Sequence, residues 1–213
     1  MKAYLGQLLH SAVDEGSIQK VRDLANAGAN LEAEKDFLSL QRSVDQTPLF
    51  RAVWRGNLDI VRFLCDNGAR VHCIANNGWD PLFAAAHQGH LDIVAFLLSN
   101  SRLSHLRSTS RGQTALYYAA RNDHQAVVRA LLASCENVTD CLNPNRFGGY
   151  NTPLYAAVQG GHLDIVRSLV NADTLADSHR DRGAYDNLIN LATRNGNIEI
   201  ANFLRARGAT SVA

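Results

Sequence analysis

The chain has 213 residues, 46% hydrophobic and 19% charged, with a formal net charge of +1. That apolar content excludes a disordered chain, and near-neutrality removes the global electrostatic case for nucleic acid or an anionic membrane. The 18 arginines against three lysines, Lys2, Lys20 and Lys35, favour a side chain whose planar fork pairs bidentately and stacks on rings.

In chain order, the first element runs from Leu8-Leu9-His10 to Gly16, with Gln7 where a helix cap would stand. The opening stretch could pass for a weak signal peptide, but it aligns with the later elements. About seven extra residues follow within Glu32 to Asp45. The second element begins Thr47-Pro48-Leu49 and reaches Gly56-Asn57-Leu58-Asp59-Ile60-Val61. The third begins Asp80-Pro81-Leu82 and reaches Gly89-His90-Leu91-Asp92-Ile93-Val94. A degenerate fourth runs from Thr114-Ala115-Leu116 to Asp123-His124, and about five extra residues lie within Cys135 to Tyr150. The fifth restores the pattern, from Thr152-Pro153-Leu154 to Gly161-His162-Leu163-Asp164-Ile165-Val166. The sixth runs from Asn187-Leu188-Ile189 to Gly196.

Each position in this repeat has a physical reason. Thr47, Asp80, Thr114, Thr152 and Asn187 are good helix N-caps, whose side-chain oxygen accepts from an otherwise orphaned N–H. Pro48, Pro81 and Pro153 follow at the first helical position, where a missing N–H costs nothing. Small Ala52, Ala85, Ala119, Ala157 and Ala192 let neighbouring helices approach. Gly56, Gly89, Gly161 and Gly196 then end the first helix in a left-handed turn, with Asp123 in the fourth copy. A second helix carries an apolar stripe predicted at i, i+3, i+6: Leu58, Val61, Leu64; Leu91, Val94, Leu97; Leu163, Val166, Leu169. One such pair cannot bury its own apolar face, whereas stacked neighbours can.

Six copies in phase, read best in Gly78-Trp79-Asp80-Pro81-Leu82-Phe83-Ala84-Ala85-Ala86, resemble the ankyrin repeat across nearly the whole chain. The resemblance implies an all-α fold, an ankyrin-repeat solenoid of stacked helix–turn–helix pairs with short hairpin or finger loops. It implies one domain, 1–213, with repeats near 5–36, 44–75, 77–108, 111–142, 149–181 and 184–213. The family histidine that ties adjacent repeats survives only as His10. Phe50, Phe83, Tyr117, Tyr155 and Asn190 replace it, and apolar stacking is expected to stand in for the lost hydrogen bonds.

No GxxxxGK[ST], GxSxG, HExxH or GxGxxG pattern occurs, so no enzyme, cofactor or metal is expected. His90, His124 and His162 share one repeat position and read as structural. Cys65, Cys73, Cys135 and Cys141 form no CxxC pair and are expected as four thiols in a reducing compartment, cytoplasmic or nuclear. No apolar run reaches the roughly 18 to 20 residues a membrane span needs.

The resemblance implies a protein partner along the concave face. Carrying the pattern over residue by residue places Arg51, Trp54, Arg55, Trp79, His87, Tyr118 and Arg121 there. Trp, Tyr and Arg most often dominate interface energy, and the arginines predict an acidic partner surface, with Asp14 and Glu15 marking an opposite-sign end. Two arrangements stay open: tryptophans presented to solvent, or covered by the lengthened fingers. The leading reading is a protein-interaction module, monomeric on its own. The alternative is an inhibitor or immunity-type protein that blocks one enzyme, and nucleic-acid binding ranks below both.

Overall fold

In the computed structural model, the described residues are 2–33, 47–71, 79–100, 109, 112–135, 141–142, 152–173 and 182–210. They form twelve helices and no strand. Contacts divide the chain into two compact units, Met1–Leu103 and Ser104–Ala213.

The first unit holds α1 (Lys2–Asp14), α2 (Ile18–Asn26), α3 (Pro48–Arg55), α4 (Leu58–Asp66), α5 (Pro81–Gln88) and α6 (Leu91–Asn100). Its odd-numbered helices pack side by side in one layer and its even-numbered helices in a second. The second unit repeats the plan with α7 (Ala115–Arg121), α8 (Gln125–Ala133), α9 (Pro153–Gly160), α10 (Leu163–Asp173), α11 (Arg182–Arg194) and α12 (Ile198–Thr210).

The expected caps form. Thr47, Asp80, Thr114 and Thr152 accept from the amides of Phe50, Phe83, Tyr117 and Tyr155 at 3.0–3.2 Å. Each such cap is worth about 1 kcal/mol. Asn187 is a correction. It lies inside α11, which begins at Arg182. Leu188 follows it and, unlike proline, permits helical backbone at the preceding residue; Thr114, followed by Ala115, caps α7 without a proline, so the lack of proline allows the extension without dictating it. The same reason lets α1 run through Gln7 from Lys2.

The first-helix alanines Ala52, Ala85, Ala119, Ala157 and Ala192 are fully buried. In the second helices the predicted stripe shifts. Leu91 is 41% exposed, while Ile60, Val61 and Leu64, with their counterparts Ile93, Val94 and Leu97, fill the core. The buried set is i, i+1, i+4, which lies on one face at 100° per residue, whereas i and i+6 point 120° apart.

Hydrogen bonds between consecutive repeats come from a place the repeat pattern does not advertise. The retained histidine His10 has Nε2 2.6 Å from the Ala33 carbonyl oxygen, within the first repeat, near 5–36. Elsewhere the residue after the turn reaches back to the preceding first helix. His90 Nε2 donates to Trp54 O at 3.3 Å, His162 Nε2 to Arg121 O at 3.1 Å, and Asn197 Nδ2 to Val158 O at 3.3 Å. Apolar packing of Phe50, Phe83 and Tyr117 accompanies these bonds, each ring being buried.

A second device links the outer helices. Arg22 lies over the Phe63 ring at 5.8 Å, Arg62 over Phe96 at 5.4 Å and Arg167 over Phe203 at 6.0 Å. Each arginine precedes its ring by one repeat, so part of the arginine excess serves stacking within the array.

The cysteine reading is corrected in part. Cys135, just past the end of α8, is bonded to Cys141, with Cα atoms 6.5 Å apart. The two cysteines are six residues apart in sequence, a spacing that does not by itself display the bond. Cys65 is not in a disulfide. Cys73, His72 and most of both insertions lie outside the described residues.

Candidate functional site

α3 carries Arg51, Trp54 and Arg55 at i, i+3 and i+4, on one face of the helix, and ends at Gly56 with φ 80°. Capping and proline at Thr47-Pro48 set where α3 begins, and the glycine sets where it stops. Together they fix the direction in which Trp54 leaves the helix. In the next repeat, Trp79 stands one residue ahead of the Asp80 cap and His87 lies in the last turn of α5.

These three rings come together. Trp54 stacks on His87 at 5.5 Å between centroids and 21° between planes. Trp79 lies 6.0 Å from Trp54 and 5.0 Å from His87. Beneath them Phe50, 4% exposed, stacks on Trp54 at 6.4 Å. Each such pair adds about 0.5 to 1.5 kcal/mol beyond the area it buries. Trp54, Trp79 and His87 are all half-buried. The rings therefore hold one another in place while keeping part of their surface open to solvent.

The charged rim is more organised than expected. Arg51 donates from Nε and, at 2.8 Å, from Nη2 to the two carboxylate oxygens of Asp14 at the end of α1. Arg55, one turn on and 48% exposed, places Nη2 3.5 Å from Asp14 Oδ1. Asp14 is therefore paired with the arginines, a correction to its reading as a separate acidic end. Glu15 pairs instead with Lys20 at 2.6 Å. The reason is α1–α3 packing, which brings residue 14 against residue 51.

Between Arg51, Trp54, Arg55, Gln88 and His90 lies a depression of about 560 Å³. Gln88 and His90 are held there by the Trp54 carbonyl oxygen, which accepts from both side chains at 3.5 and 3.3 Å. A carbonyl can only accept, so the His90 proton sits on Nε2. Gln88 ranks among the variable positions by repeat pattern, but the part played by His90 was not legible there, because its repeat position reads as structural.

In the second unit Tyr118 is 7% exposed, a correction to its expected presentation. Its hydroxyl donates to Gln113 Oε1 at 2.8 Å, and its ring meets Tyr117 edge-on at 5.3 Å. The small neighbours Ala119 and Ala120, both fully buried, let the helix sit close enough to enclose the ring. Arg121 is exposed and reaches the Tyr117 hydroxyl at 3.4 Å.

The family model described as Ankyrin repeats (3 copies) matches residues 5–75, 49–143 and 136–212. The chain belongs to the ankyrin repeat family. Ankyrin repeats are generally protein–protein interaction modules and typically non-enzymatic scaffolds. Among the described residues of this ankyrin repeat protein, no helix is long and apolar enough to cross a membrane. No group of three His, Cys, Asp or Glu among them could hold a metal ion.

Proposed function

We propose that this ankyrin repeat protein binds a partner protein through the first-helix face of residues Met1–Leu103, centred on Trp54, Trp79 and His87, with Arg51 and Arg55 at its rim. The observation that carries the reading is the half-buried tryptophan pair. Two tryptophans held by ring contacts with each other and with His87, and still open to solvent, have already lost much of their side-chain freedom, so a partner that covers them pays little further ordering entropy. Both tryptophans of the chain stand in this cluster. An acidic partner surface is favoured because the five residues lining the adjacent depression include two arginines and no carboxylate. Arg121, on a first helix of the second unit, is proposed as a contact belonging to that unit by itself. Tyr118 contributes through the placement of Gln113 rather than through an open ring face.

The test is affinity capture from the native source with the wild-type chain and with Trp54→Ala and Trp79→Ala variants. Both variants are expected to keep the helical circular-dichroism spectrum and to lose the partner. Undiminished capture by both would remove this surface from the reading.

A further inference from the structure

We infer that Arg51 and Arg55 form a subsite for an aspartate or glutamate side chain of an acidic partner segment, and that Asp14 occupies this subsite in cis until the partner's carboxylate competes for it. The inference rests on the docking face proposed above.

A carboxylate already sits where the partner's would bind. Asp14 receives a two-pronged contact from Arg51, Nε to Oδ1 and Nη2 to Oδ2, the geometry in which a guanidinium fork recognises a carboxylate. The contact spans 37 residues and joins side chains that are only 22% and 20% exposed, so it is a shaped site rather than a loose surface pair. Arg55 is held differently. Its nearest Asp14 oxygen is at 3.5 Å, at the limit of a hydrogen bond, and its side chain is 48% exposed. Two guanidinium groups therefore share one carboxylate, and the more open one faces the depression of about 560 Å³ beside Trp54, Gln88 and His90. Local charge is left net positive, at the rim of an aromatic cluster. A carboxylate entering from solvent meets Arg55 first and then competes with Asp14 for Arg51.

The chemistry of the fork favours a carboxylate over a phosphate. The fork already accommodates a planar two-oxygen acceptor, and a second anion of higher charge would lie against Asp14, where like-charge repulsion opposes it. The chain's net charge of +1 supplies no long-range attraction for the phosphate backbone of a nucleic acid.

Asp14 thus sets a threshold. A partner gains the Arg51 contact only by displacing an intramolecular carboxylate that is always present at high effective concentration. Weakly acidic segments fail to displace it, and segments dense in carboxylates succeed.

The full chain reports on this site directly, because its two tryptophans are the ones in the cluster. Hexaglutamate peptide is titrated at low salt while intrinsic tryptophan fluorescence is followed, with inorganic phosphate and a single-stranded oligonucleotide as comparison probes. A saturable change with hexaglutamate is expected. Arg55→Ala weakens it about tenfold, the scale of one lost charge-assisted hydrogen bond. Asp14→Asn, which keeps the shape and an acceptor oxygen but removes the competing charge, tightens it at least about threefold. The inference is overturned by no saturable change in either wild type or Asp14→Asn, by equal affinity in Arg55→Ala, or by an Asp14→Asn affinity that is unchanged or weaker. Tighter binding of the oligonucleotide or of phosphate than of hexaglutamate also overturns it. In partner capture, loss with Trp54→Ala and Trp79→Ala but retention with Arg55→Ala removes the subsite and leaves the docking face. Retention with all three removes both.

Discussion

Replacing Gly56 by alanine tests how one repeat is tied to the next. Gly56 ends α3 with φ 80°, and an ideal Cβ there would stand 2.6 Å from His90 Cε1 and 2.9 Å from His90 Nε2. Gly68, in the same repeat, has φ 88°, and a Cβ would meet nothing within 4 Å. The two substitutions share the cost of a left-handed alanine, about 1 to 2 kcal/mol, and the partial return of about 0.4 to 1 kcal/mol from a stiffer unfolded chain. Gly56→Ala carries a further cost. The His90 ring must swing away, and its 3.3 Å hydrogen bond to the Trp54 carbonyl is lost, about 0.5 to 1.5 kcal/mol. Gly68→Ala is therefore expected to destabilise by about 1 kcal/mol and Gly56→Ala by about 2 kcal/mol. Urea unfolding followed by circular dichroism measures both. In a His90→Ala background the obstacle and the bond are absent, so the two glycine substitutions should cost the same. Equal losses in the wild-type background, or a difference that survives in His90→Ala, would refute the proposed tie. The stakes reach the proposed binding face, since the carbonyl that anchors His90 belongs to Trp54.

Arg62→Ala should cost about 0.5 to 1 kcal/mol in the same urea assay, because the guanidinium leaves the Phe96 ring 5.4 Å away. Arg129→Ala, whose counterpart in the following repeat is Ser168 rather than a ring, should fall within about 0.5 kcal/mol of wild type. A reducing agent should lower the unfolding midpoint through the Cys135–Cys141 bond, which closes a short loop worth about 2 kcal/mol by loop entropy. Mass spectrometry without reduction should find the peptide that contains both cysteines lighter by two hydrogens, and an unshifted mass would remove the bond.

How much of this was readable in advance depends on the range of each interaction. Cap, proline, small residue and turn glycine act within a few residues, so Thr47, Pro48, Ala52 and Gly56 announce their helix before any neighbour is known. The failures sit where that local grammar lapses. Asn187 without a following proline does not stop α11, and the apolar stripe read from Leu58 misjudges the buried face because i+6 is not a helical neighbour. The candidate site divides along the same line. Trp54, Trp79 and His87 stand at positions the repeat leaves variable, where the carried-over pattern put them, and residue type then singled out the two tryptophans.

The order of residues determined the helix pairs, their number and their stacking, since each pair leaves an apolar face that only another pair can cover. Tertiary structure alone decided what lies across the seam between repeats. Trp54 meets both Trp79 and His87 of the next repeat, and Asp14 falls on two arginines 37 and 41 residues away. Such contacts depend on the offset between neighbouring helices and on side-chain direction. A periodic pattern of about 33 residues repeats without specifying either.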